Sequence, residues 1–189
     1  MDDDLKDRFF EAAEESPGSW LLRGMSLRAA AARLDWRTTP VRDDENTMSF
    51  LAEYQMLLGM SFENLLKGII TLNRIEKSEK PFLPKECTNR HQLKVLAMRS
   101  ELDELSLTDE DLSVLERLSM YIEWAGRYPI PKKVGGYEPI CHGNREYEAE
   151  LLLWERLAQP LLKQGWVMKG GPKRLGGYRL YLKQRDKKE

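Results

Sequence analysis

The sequence predicts an all-α fold, and three features carry that prediction. Apolar residues recur three and four apart through successive long stretches. Polar, proline-bearing connectors separate those stretches. Residues of β type gather after Gly165, in WVMK and GYRLYLK around GGPKRLGG, which read as a small candidate hairpin.

The first helix is expected from about Ser19 to Arg37, started by Pro17 and Ser19, with Trp20, Leu27, Ala30, Ala31 and Leu34 inward. TTPVRDDENT follows as a polar connector, and its Thr47 can cap the next helix. That second helix is the longest, at about 28 residues and roughly 42 Å. Tyr54, Leu57, Leu58, Ser61, Leu65, Gly68 and Leu72 share one side of it. Met56, Met60, Leu66 and Ile70 lie opposite, with Glu63 and Lys67 between them at the i,i+4 spacing and acid first. A helix apolar on both sides is packed on both, here against its own bundle and against a second surface. Met56, Met60, Glu63, Lys67 and Ile70 are therefore the expected interface.

EKSEKPFLPKECTNR holds Pro81 and Pro84 and reads as a loop. A third helix is expected from His91 to about Leu102. The fourth opens at Thr108, which with Asp111 resembles a capping box with Asp in place of Glu or Gln. Gly126, Pro129 and Pro131 stop it. One face carries Leu112, Leu115, Ser119, Ile122 and Ala125; the other carries Val114, Arg117, Tyr121, Trp124 and Tyr128. Tyr121 and Trp124 join the interface set on that aromatic stripe. PIPKKVGGYEPICHGN is a long loop with Cys141 and His142, and the last helix is expected from about Arg145 to Gln164, kinked or interrupted near its end by Pro160.

The chain has 189 residues, 41% of them hydrophobic and 32% charged, with a net charge of −1, enough for one compact core. An uncharged apolar run of about 18 residues is missing, so no membrane span is expected. Two cysteines in a chain of this length point to reduced thiols and the cytoplasm. Charge is uneven: residues 1–15 hold seven acids against two bases, and 163–189 hold nine bases against two acids. The expected organisation is an acidic segment at 1–18, a helical domain at 19–165 and a basic hairpin or tail at 166–189. The basic end, with Lys173, Arg174 and Arg179, could track a phosphate backbone.

Several pieces then fall in a telling order. FENLLKGII, Phe62 to Ile70, has Glu four before Lys; His91-Gln92-Leu93 opens a helix; Tyr121 is followed by Arg127, Tyr128 and Pro129; a long helix closes the series. Together they resemble the HEPN domain superfamily of prokaryotic helical proteins, over about residues 47–165. The resemblance implies an up-and-down bundle of four to five helices, often a homodimer. It also implies association with RNA cleavage, nucleotidyltransferase partners, toxin–antitoxin pairs or phage defence.

Ribonucleolytic members carry Arg, four to six residues, then His. The corresponding positions are Pro84, Lys85 and Glu86 before His91, and Gly135, Gly136 and Tyr137 before His142, so the motif is absent here. Cleavage by 2′-hydroxyl attack still needs a base, an acid and a cation on the phosphate. His91, His142, Arg127, Arg145 and Lys67 supply those types, and Lys67, Arg127, Tyr128 and Arg145 are the expected nucleic-acid contacts beside the basic end. Each also has a structural role open to it: His91 as a helix start, Arg127 against a helix dipole, Glu63 with Lys67 as a salt bridge. Cys87 with His91, and Cys141 beside His142, do not make a zinc pattern, and no metal or cofactor is expected. The expected function is a dimeric binding or regulatory module working with RNA or a nucleotidyltransferase-type partner. The alternatives are a divergent metal-independent ribonuclease using His91 or His142 with Arg127, and a purely structural dimerisation subunit.

Overall fold

The computed structural model describes residues 16–34, 49–79, 83–88, 91–125, 143–164, 166–170 and 180–184, and they are predominantly helical. The helices are α1 (Pro17–Arg33), α2 (Ser49–Glu76), α3 (Lys85–Thr88), α4 (Leu93–Ala97), α5 (Asp109–Met120) and α6 (Asn144–Leu162). A 3-10 turn over Ser100–Leu105 precedes α5, and a π-helical turn over Tyr121–Ala125 continues it. Two short strands, β1 (Trp166–Gly170) and β2 (Leu180–Gln184), pair antiparallel with Trp166 opposite Gln184. The expected turn between them, with Lys173, Arg174 and Arg179, lies outside the described residues, as do Thr47, Arg127, Tyr128 and His142. Among the described residues no helix is long and apolar enough to cross a membrane.

Helix α2 is the axis of the fold, and α1, α4, α5, the π turn and α6 all pack on it. Phe62, Leu65, Leu66, Ile69 and Ile70 are completely or almost completely buried along it. This corrects the reading of its second side. Leu66 and Ile70 are each 0% exposed within the chain itself, so neighbouring helices of the same chain already cover the surface assigned to a partner at Ile70. Met56 and Met60 are half-buried, and Tyr121 is buried.

Close helix approach needs small residues where the backbones meet. A Cβ on Gly24 of α1 would stand 3.2 Å from the Ser61 carbonyl oxygen. That gap lets the Ser61 hydroxyl donate to the Gly24 carbonyl at 2.7 Å while accepting from the Trp154 indole N–H at 2.7 Å. One serine thus ties α1, α2 and α6 together, with no buried polar atom of that trio left idle.

Two segments differ from expectation. The proline-bearing loop contains the single turn α3, closed by the Cys87 N–H on the Pro84 carbonyl at 2.7 Å. The third helix is broken: His91 precedes it, Gln92 flanks its start, and the chain tightens after Ala97 into a 3-10 turn with Leu102 N–H on the Arg99 carbonyl at 2.9 Å. Tertiary burial decides this, because Leu93, Leu96, Ala97 and Leu102 all reach the core through the break. Helix α6 runs on through Pro160 to Leu162.

At the start of α5 the capping box forms: the Thr108 hydroxyl accepts from Asp111 N–H at 3.2 Å, and Asp111 Oδ2 accepts from Thr108 N–H at 2.7 Å. Arg156 of α6 also reaches Asp111. Burial pushes the Asp111 carboxyl up, but the Thr108 amide and hydroxyl and the Arg156 guanidinium outweigh it and hold it below the ordinary value. A carboxyl with a lowered folded value stabilises above its unfolded value, near pH 4, and that contribution is lost as pH falls through the folded value. Asp111→Asn is therefore expected to cost about 1–2 kcal/mol at neutral pH. The gap between the two proteins in thermal unfolding should close below about pH 4; a gap independent of pH would contradict the assignment.

Candidate functional site

Among the described residues, two buried charged centres use α2. The first joins residues far apart in sequence. Glu63 faces the start of α4, where its Oε2 meets His91 Nδ1 at 2.9 Å, while Lys67, one turn on, donates to Oε1 at 2.6 Å. Glu63 and Lys67 are buried, at 8% and 4% exposure, and the Lys67 ammonium also lies 5.8 Å from the centre of the Trp20 ring. His91 is the accessible member, its side chain 47% exposed. The expected i,i+4 salt bridge is thus present, and it carries a histidine that the sequence could not place beside it. Ser119 of α5 braces the same corner by accepting from the first N–H of α4, Leu93, at 2.8 Å.

The second centre is deeper. Glu150 of α6 is 1% exposed and accepts from Arg117 of α5 at 2.7 Å, Gln55 at 3.0 Å and the Tyr54 hydroxyl at 3.4 Å. Sequence reasoning missed Glu150. Its spacing to Leu153, Leu157 and Leu161 on the buried stripe of α6 was the available signal, since an acid on an apolar stripe demands a partner. Beside this centre, Arg28, Tyr54, Leu58, Tyr147, Glu150 and Trp154 line a crevice of about 40 Å³, and the Arg28 guanidinium lies 4.1 Å from the centre of the Trp154 ring. Such a volume holds two or three waters and is far below the roughly 300 Å³ or more of a small-molecule site.

Arg145 stands apart from both centres, exposed on α6 and 3.3 Å from Glu110. Cys87 is a buried thiol outside any disulfide. No group of three potential metal-binding side chains occurs among the described residues. Of the candidates, the structure brings Glu63, Lys67 and His91 together and leaves Arg145 elsewhere. Searches against known protein families, characterised proteins and solved structures find no match to the chain.

Proposed function

We propose that the protein is a HEPN-like helical module that binds RNA, or a nucleotide-handling protein, at the corner where α2 meets the start of α4, and that it acts as a binding or regulatory component. One observation supports this reading above the others. Two separate pieces of the resemblance, the Glu-x3-Lys of α2 and the His-x-Leu before α4, meet as a single hydrogen-bonded group at 2.9 and 2.6 Å. Of its three members only His91 is exposed, so the group offers a ligand one polar contact and keeps its charges for itself. A dimer, if formed, has to use surface other than Leu66 and Ile70, which are already core.

The test is anisotropy of a labelled single-stranded RNA with the full chain. Binding is expected at about 50 mM salt and should weaken by on the order of 10²- to 10³-fold at 200 mM if about six phosphates are contacted. Deleting residues 169–189 should weaken it further, and no cleavage is expected without added metal. Failure to bind at low salt removes the reading. Cleavage that vanishes in His91→Ala replaces it with the ribonuclease alternative.

A further inference from the structure

The hydrogen bonds around Glu63 specify which ring nitrogen of His91 carries the proton. Glu63 accepts at both oxygens: Oε1 is taken by Lys67 at 2.6 Å, and Oε2 faces His91 Nδ1 at 2.9 Å. Lys67 has hydrogens to give and no lone pair, and an acceptor-only carboxylate can be met at Oε2 only by an N–H. In the neutral ring the hydrogen is therefore on Nδ1, and Nε2 keeps its lone pair. Nε2 has no hydrogen-bond partner among the described residues, and the side chain is 47% exposed. The carboxylate is in turn held by its own helix, because Glu63 and Lys67 are one turn apart and both buried. An unconstrained neutral imidazole samples both tautomers; this one, when neutral, presents an acceptor at Nε2.

We infer that His91 Nε2 is a recognition acceptor for a ligand hydroxyl, the ribose 2′-hydroxyl, with Glu63 and Lys67 as its positioning residues. This rests on the RNA-binding reading above and adds to it a preference for RNA over DNA. The chemistry is that of a group which can only receive a hydrogen. A ribose hydroxyl donates one, a deoxyribose has none, and a 2′-O-methyl ribose keeps the oxygen but has lost the hydrogen. An acceptor at Nε2 thus groups the methylated strand with DNA, whereas an N–H at that position would group it with RNA.

The experiment has two arms on the full chain. In the first, the neutral ring of His91 is read by ¹⁵N NMR in alkaline buffer; with only two histidines in the chain, assignment needs one variant, His142→Gln. Nδ1 is expected to be pyrrole-like and Nε2 pyridine-like. The reverse pattern overturns the inference. In the second arm, RNA, DNA and 2′-O-methyl RNA of one sequence are compared at low salt. RNA is expected to bind about five-fold more tightly than either of the others, the scale of one net hydrogen bond. His91→Phe should erase the difference. Since that variant also loses the Glu63 contact, the wild-type comparison of the three strands stands independently. RNA and DNA bound equally overturn this inference and leave RNA binding intact; no RNA binding at all overturns both.

Discussion

Replacing Glu150 with alanine is expected to cost about 3–5 kcal/mol, a fall in melting temperature of roughly 6–20 °C for a chain of this size. The loss comes less from the hydrogen bonds themselves than from what is left behind. Arg117, with a side chain 14% exposed, keeps its charge without a counter-ion, and Gln55 and Tyr54 lose an acceptor in the same place. The centre is already short of partners, since Gln55 Oε1 and Arg117 Nε are buried without one among the described residues. Removing both charges together has the opposite logic. In Arg117→Leu/Glu150→Leu no ion is stranded, and apolar replacement of a buried pair is often neutral or favourable. The double variant is therefore expected to melt well above Glu150→Ala; thermal unfolding with both proteins decides it. A double variant no better than the single one would mean that the network supplies net stability.

Gly59→Leu is the second large effect, expected at about 3 kcal/mol, the upper end of overpacking costs. A Cβ there would lie 2.8 Å from Ile122 Cγ1 and 3.1 Å from the Leu118 carbonyl oxygen. Helix propensity favours almost any residue over glycine by up to about 1 kcal/mol, so a position where substitution destabilises is one where contact outweighs propensity. The backbone oxygen cannot move aside, and Ile122 sits in the π turn that continues α5. Ile122→Ala in the Gly59→Ala background should recover part of the loss by freeing the nearer contact. Denaturant midpoints of the two singles and the double form the cycle; strict additivity would break the link between Gly59 and the π turn.

How far the sequence could be read follows the range of the forces. α2 was legible over its whole length because its apolar period is intrinsic to about eight turns. The Thr108 box was legible because both partners lie three residues apart. The third helix was not, because the break after Ala97 is imposed by packing of Leu96 and Leu102 from outside the segment. The same limit governed the sites. Glu63 with Lys67 is a local pair and could be read, whereas His91 beside Glu63 and Glu150 beside Arg117 are separated by 28 and 33 residues. The two-sided apolar pattern of α2 was read correctly as two-sided packing, but periodicity does not say whose surface answers it, and at Leu66 and Ile70 the answer is this chain.

The way α6 closes on α2 also sets a schedule. Gln55 meets Glu150 across 95 residues, and Ser61 meets Trp154 across 93. A ribosome adding about 5–20 residues per second needs roughly 5–20 s to deliver the second partner after the first. During that interval the axis helix is complete yet lacks one of its walls, with Gln55 and Ser61 waiting for Glu150 and Trp154. The longest helix is thus finished well before its last wall is made, and the vulnerable moment in the life of this protein falls before its synthesis ends.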